Sequence, residues 1–474
     1  MAQQTLLDHL AAGSPAAVKA SFPLLVPVLL LLLLRYLATG AKTKQAATNR
    51  LPPSPPAMPL IGHLHLVGAH PHISMRSLAA RHGDLMLLRL GTVPTLVASS
   101  PRAAQALLRT HDQSLASRPS SILGDILGYG PADVGFAPYG DGWRQAKKLV
   151  TTHLLNAKKV LVEGLDKKFK SVMEDSMAAL GGFNLENFYP GLAKVAGGVL
   201  MWPVRRKGEK LRDRWDEVLD KVIDGHASMA AAAGASERHE SDFTDVLLSV
   251  KEEYGITRNG MKGILSDMFA AGTDTAYLVL EYTMIELIQH QDIMAKLQEE
   301  VRSSIPKGQE VITEDNLTGM SYLRAVIKET LRLHPPSPLL LPHSSREDCN
   351  IDNYMVPAGT TVFVNVWAIG RDPSLWEAPE EFMPERFINK ESKEGAIDFR
   401  GLDFQFLPFG SGRRMCPGMN FALANVEIML ANLVCHFDWE MPKGVNNIDM
   451  EEIFGLTVHR KDKLILAPKV TMCC

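Results

Sequence analysis

Cysteine is scarce in this chain. Its five copies, Cys349, Cys416, Cys435, Cys473 and Cys474, form an odd, scattered set with no CxxC spacing. That excludes a disulfide framework and a paired-cysteine structural zinc site, and it suits a reducing compartment. Excess charge of one sign is also missing. The net charge of -3 gives no ground for a nucleic-acid partner. There is no internal repeat, and low complexity is confined to the short run Ala230 to Ala235, read as a loop. What is present is a hydrophobic share of 46% with 22% charged residues over 474 positions. That composition builds a large globular core, in one very large domain or two to four ordinary ones.

Long apolar runs are absent except at the N-terminus. Ala20 to Leu34 carries no charge, and PLLVPVLLLLLL fills most of it. This stretch is short for a bilayer span of about 20 residues, but it suffices if Arg35 snorkels and Tyr36 to Ala41 complete the crossing. A cleaved signal peptide is the competing reading. Arg35, Lys42, Lys44 and Arg50 all lie on the C-terminal side, which retains the following domain in the cytosol. The expected organisation is a luminal segment 1–19, an anchor 20–41, a basic, Pro-rich linker 42–62 and a body 63–474. Prolines 52, 53, 55, 56 and 59 make the linker a stiff spacer.

In the body, 85–98 and 360–369 are rich in Val, Thr and Leu and read as strands. Helical spacing runs from about Gly260 to Val301 through Ile264, Met268, Leu278, Tyr282 and Leu287. The expected fold class is mainly α with a small β part (α+β).

Three constellations carry chemistry. In PFGSGRRMCPG, Pro408 to Gly418, the glycines at 410, 412 and 418 allow a backbone that closely approaches a flat ligand. A helical pattern follows Pro417, so Cys416 stands just before a helix N-terminus. The helix dipole, together with Arg413 and Arg414, is expected to favour its thiolate, a soft anionic metal ligand. The second is AAGTDTA, Ala270 to Ala276, where Thr273, Asp274 and Thr275 interrupt an apolar helix face. A threonine bonding back one turn distorts such a helix and opens a groove; a solvated patch is the plainer alternative. The third is KETLRLHPP with PERF downstream. Glu329 and Arg332 share a helical face, and ExxR alone is usually a surface ion pair.

The pattern F-x-x-G-x-R-x-C-x-G, met at Phe409, Gly412, Arg414, Cys416 and Gly418, resembles the haem-thiolate monooxygenases, the cytochromes P-450, of the plant microsomal type. The match to A/G-G-x-D/E-T at Ala271, Gly272, Asp274 and Thr275 agrees with it. The resemblance implies that Cys416 is the axial ligand of haem b (iron protoporphyrin IX), that Asp274 and Thr275 relay protons to dioxygen, and that Glu329, Arg332 and Arg386 form a buried supporting network. It places Trp143, Arg144 and Lys147 on a helix contacting the haem propionates. Lys147 stands where arginine is common and lacks its bidentate fork. It also places His343 and Arg346 near a second propionate. Ser337 to Leu341, the helix before Ala271 and the loop Ser120 to Gly130 would face substrate. Ile122, Leu123, Leu339, Leu340 and Leu341 there imply a small lipophilic one.

By the same resemblance, electrons come from NADPH through a membrane-bound NADPH–cytochrome reductase of the endoplasmic reticulum. It would dock against Lys147, Lys148, Arg413 and Arg414. The loop and C-terminal segments look most like the grass enzymes that oxidise indole and indolinone intermediates of benzoxazinoid defence compounds. One departure stands out. Several dozen residues, two helices of the central bundle, are missing near Val160 to Val162. Their loss is expected to expose apolar surface or rearrange the bundle, at the cost of a core element, and to weaken haem binding. Two alternatives therefore stay open: a haem-thiolate isomerase or dehydratase, and a truncated, haem-deficient membrane protein. The sequon at Asn316 lies on the cytosolic side, and Cys473-Cys474 lacks the C-a-a-X form, so neither implies a modification.

Overall fold

The computed structural model describes residues 50–130, 133–155, 167–181, 184–232, 242–306, 309, 311–388, 397–445 and 447–471. The expected anchor at 20–41, linker residues 42–49, the junction at 160–162 and Cys473-Cys474 lie outside them. Helices dominate, packed beside a four-stranded sheet ordered Leu85–Leu90, Val93–Ala98, Thr361–Val364, His343–Ser344. The first two strands form a hairpin, turned at Gly91 with φ 63°. The second pairs in parallel with Thr361–Val364, from Thr95 opposite Thr361 to Ala98 opposite Val364. The antiparallel partner His343–Ser344 forms the sheet's far edge, with His343 opposite Val362 and buried. The prolines at 53 and 55 are anchored to this sheet: the Leu87 N–H donates to Pro53 O at 2.9 Å, and the buried His63 ring lies 2.8 Å from Pro55 O.

Three expectations need correction. The strand read over 360–369 ends at Val364. Asn365 then caps a short helix, Val366–Ile369, its side-chain oxygen accepting the Ala368 N–H at 3.0 Å. Local capping chemistry prevails over β propensity there. The helix read from Gly260 to Val301 is two helices, Arg258–Gln289 and Gln291–Ser303, because the chain turns at His290 (φ −119°, ψ 79°). Of the expected Ala-rich loop, Ala230 to Ala232 instead close the helix Trp202–Ala232.

The central helix Arg258–Gln289 starts at a Thr257 cap, whose hydroxyl accepts the Gly260 N–H at 3.1 Å. Its C-terminal half packs on Ser321–Leu333 and Met419–His436 around fully buried Leu287, Leu297, Val301, Leu323, Val326, Leu430, Ala431 and Cys435. Each of those leucine and valine side chains contributes about 1.5–3 kcal/mol. Its N-terminal half packs with Leu149, Val150, Leu154, Phe169, Trp215 and Leu219 in a second cluster. Among the described residues, only Met419–His436 is long and apolar enough to cross a membrane. Its Leu423, Val426, Leu430 and Val434 lie in the core, so it is a core helix, yet only 33% of it is buried.

The Glu329 network is present and buried. Glu329 and Arg332 side chains are both 0% exposed. Arg332 donates twice to the carboxylate, from Nε at 2.8 Å and from Nη2 at 2.7 Å; Arg386 Nε adds 2.9 Å and the Met383 N–H another 2.9 Å. Both guanidinia also bind backbone carbonyls, at Gly370 and Pro379 for Arg332, Glu377 and Ala378 for Arg386, and Glu381 for both. The network ties the helix Ser321–Leu333 to the segment leading toward the cysteine loop.

Candidate active site

The loop before Cys416 is shaped by two left-handed residues, Gly410 (φ 70°) and Gly412 (φ 72°). A Cβ on Gly412 would lie 2.2 Å from Leu108 O, so no other residue fits there. The Cys416 N–H donates to Phe409 O at 2.9 Å and Ser411 Oγ to Gly401 O at 2.6 Å, closing the loop on itself. Gly418 differs from expectation. Its φ of −86° is ordinary, and it serves as the N-terminal boundary of the helix starting at Met419.

Cys416 opens onto a cavity of about 300 Å³ lined mainly by apolar side chains. The residue is exposed and lines that space. Burial pushes the thiol above its ordinary pKa, while the Gly418 N–H and Lys147 pull it down. The expectation that Arg413 and Arg414 lower it does not hold, because both charges are committed elsewhere. Arg414 lies 4.1 Å over the Trp143 ring and donates to Ala116 O at 2.7 Å and Ala137 O at 2.6 Å. Arg413 pairs with Asp112 at 3.4 Å.

One wall of the cavity gathers Arg118, Trp143, Lys147, His343 and Arg414. Arg118 escaped the sequence reading. It is held by Gly135, Leu341 and Pro342 carbonyls at 2.9–3.0 Å, and burial together with neighbouring Arg414 lowers its pKa to about 9. Burial, then Arg414, also lowers Lys147, whose ammonium donates to Arg413 O. The nearby carboxyl, Asp133, is itself raised to about 6 by burial. The wall therefore holds more buried positive than negative charge and suits anionic groups. Trp143 differs in detail, since its indole N–H donates to Val134 O at 3.0 Å. Arg144 pairs with Asp141 at the surface, and exposed Arg346 lies over Tyr139; neither lines the cavity.

His343 is neutral. Burial, with Arg118 nearby, lowers its pKa to about 3, and its Nδ1 lies 3.0 Å from Leu115 O. His72, buried against Trp367, is lowered to about 4 by the same desolvation. Both titrate near 6.5 when unfolded, so their contribution to stability is complete above that value and lost as pH falls toward 4 and 3. Denaturant midpoints are expected to decline between pH 6.5 and 4. His343→Gln and His72→Gln should flatten that slope.

On the central helix, Ala271, Gly272, Asp274 and Thr275 all line the cavity, and the helix runs unbroken through them. Thr275 Oγ1 donates to Ala271 O at 2.7 Å, the back-bond expected from the sequence. Asp274, 2% exposed, points toward the C-terminal hairpin and accepts from Thr457 Oγ1 at 2.7 Å. Two turns earlier, Asp267 also reaches the cavity. Its Oδ2 accepts the Val134 and Gly135 N–H groups at 2.6 and 3.2 Å, fixing the loop that carries them. Burial and the charge of Asp133 raise its pKa. The seven-residue spacing from Asp274 on one helix was the available signal for it.

Of the expected substrate wall, Ser337, Leu340, Leu341, Gly124 and Leu127 line the cavity. Ile122, Leu123 and Leu339 do not: Leu123 packs with Trp215 and Leu219, and Leu339 with Met75 and Leu88. Of the four basic residues expected to dock a reductase, only Lys148 and Arg413 are exposed.

The cytochrome P450 family model matches residues 52–190 and 198–467. This chain belongs to the cytochrome P450 family. An indole-2-monooxygenase of Zea mays is 45% identical, with 98% of each chain covered, and an indolin-2-one monooxygenase of Zea mays is 46% identical, covering 95% of this chain and 96% of that one. A zebrafish cytochrome P450 solved with abiraterone shares the fold at TM-score 0.65 and 23% identity, over 84% of this chain and 100% of that one. This cytochrome P450 is a haem-dependent monooxygenase that requires a redox partner, dioxygen and an organic substrate. The site residues fit haem: a soft sulfur donor faces an apolar cavity whose side wall carries surplus buried cations for the macrocycle's carboxylates.

Proposed function

We propose that this cytochrome P450 inserts one oxygen atom into a small lipophilic substrate of the indole or indolinone class, with electrons from NADPH through a membrane-bound reductase. The observation that carries the reading is Cys416 facing an apolar cavity across from Asp274 and Thr275. The Zea mays relatives named for indole and indolin-2-one support the substrate class.

Haem, when bound, supplies the oxygen chemistry. Cys416 holds it, with Phe409, Gly412 and Gly418 shaping the loop. Arg118, Lys147 and Arg414 balance its carboxylates, Trp143 props Arg414, and neutral His343 closes the wall at the sheet. Thr275, with its hydroxyl on Ala271 O, keeps lone pairs free to accept a proton, and Asp274 holds that proton one residue away. Leu127, Leu340, Leu341 and Ala270 exclude water around the substrate. Residues 20–41 anchor the chain in the endoplasmic-reticulum membrane and 42–62 space the cytosolic body 63–474 from it. Exposed Lys148 and Arg413 offer the reductase a basic face.

A second reading, a haem-deficient membrane protein, is favoured by one observation. The alignment to the indole-2-monooxygenase spans 530 positions, so at least 56 have no residue in this chain of 474. Loss of two helices near 160–162 would leave a core helix under-covered, and Met419–His436 is only a third buried. Expression of the full chain with an NADPH reductase, followed by turnover of indole and indolin-2-one, tests the proposal. NADPH-dependent hydroxylated product supports it. Product without NADPH points to isomerase or dehydratase chemistry, and absence of haem to the second reading.

A further inference from the structure

Asp274 is almost fully buried, yet its outer oxygen has two partners, neither from its own helix. Thr457 Oγ1 donates to Oδ2 at 2.7 Å, His459 Nε2 lies 3.2 Å from the same oxygen, and Thr457 Oγ1 and His459 Nε2 are 3.0 Å apart. Both partners come from the C-terminal hairpin, Glu452–Phe454 paired with Val458–Arg460. Thr457 and Asp274 line the cavity; His459 does not, and its side chain is 28% exposed. The trio thus spans from the cavity wall to solvent within hydrogen-bonding reach.

We infer that His459 is the outward link of the proton path through Asp274, taking protons from solvent and passing them inward. This rests on the reading of Asp274 as the proton-holding group. The imidazolium gives its Nε2 proton to Asp274 Oδ2, Asp274 releases a proton toward Thr275, and the neutral ring recovers one from water. Only protons move, one in for each one delivered. Thr457 positions the pair by donating to the carboxylate and accepting from the ring. His459 acts through Asp274 and touches no substrate.

The charged surroundings support the direction of transfer. From the central helix, Asp274 and Glu281 face the ring, with Tyr277 bonded to Glu281 at 3.1 Å. From the helix Lys167–Gly181 come Glu174 and, over Tyr277, Lys170. Arg460 on the hairpin pairs with Glu281 at 3.6 Å. Burial opposes the ring's charge, but the hydrogen bond and charge of Asp274, with Glu281 and Glu174, prevail and raise its pKa. The ring therefore keeps its proton to higher pH than a free imidazole does and loses it on the alkaline side.

The test uses the full chain with its reductase, rates normalised to haem by the carbon monoxide difference spectrum, and product and hydrogen peroxide followed across pH with indole as substrate. Unmodified protein is expected to lose product formation on an alkaline limb. His459→Gln should form product roughly ten-fold more slowly at neutral pH, short of the about 10²-fold typical of a group that protonates the reacting atoms directly. Its peroxide release should rise and the limb should vanish. His459→Lys, which keeps a cation of higher pKa beside Asp274, should move the limb upward, and it decides the matter if His459→Gln takes up no haem. Asp274→Asn separates the layers. If it slows product formation while the histidine variants keep the original rate and limb, the inference about His459 is wrong and the reading of Asp274 stands. If Asp274→Asn is itself without effect, both fall.

Discussion

Replacing Glu329 with glutamine is expected to destabilise the fold by about 3–5 kcal/mol, the cost of stripping the counter-charge from a buried ion pair. Among the described residues the carboxylate is the sole charged partner offered to two guanidinia, Arg332 at 0% and Arg386 at 9% side-chain exposure. Glutamine keeps the shape but replaces one acceptor oxygen with a donor, leaving two buried cations and the Met383 N–H competing for what remains. Against a typical total of 5–15 kcal/mol, such a loss leaves little folded protein at physiological temperature. Denaturant titration of the apo chain checks it, with haem content as a second readout. A loss under about 1 kcal/mol would place this network among ordinary surface pairs, contrary to its burial.

Cys416→Ser is expected to do the opposite: little to the fold, everything to the chemistry. The side chain lines the cavity and belongs to none of the apolar core clusters of the described residues, and the loop is held by backbone bonds from Cys416 N to Phe409 O and from Met415 N to Gly412 O. The apo protein should therefore unfold within about 0.5 kcal/mol of the original. A hydroxyl is a poor, protonated donor where a thiolate is required, so the thiolate-type carbon monoxide band and NADPH-dependent product should both fall to background. Retention of both would remove Cys416 from the site. Loss of folding in the apo chain would make it a structural residue.

Much of the site was legible because its chemistry is local. The Cys416 loop is set by glycines with positive φ and a helix that begins three residues on. Thr275 bonds back to its own helix. The direction of the arginines was not legible. Arg413 and Arg414 stand three and two residues before Cys416 in sequence, but Arg414 is drawn to carbonyls of Ala116 and Ala137, almost 300 positions earlier. Arg118 was invisible for the same reason: its three acceptors, on Gly135, Leu341 and Pro342, converge only in the folded chain. His459 sits in a hairpin whose pattern announces nothing; its meaning comes from a contact across 185 residues to Asp274. In the fold, strand propensity at 360–369 gave way to the Asn365 cap, and a continuous apolar period concealed the turn at His290.

The most direct test is the carbon monoxide difference spectrum of the reduced, unmodified full-length chain, measured against its haem content. The account predicts a thiolate-type band in proportion to bound haem, despite the positions this chain lacks relative to its Zea mays relatives. A chain that folds but takes up no haem, or takes it up without that band, would contradict it.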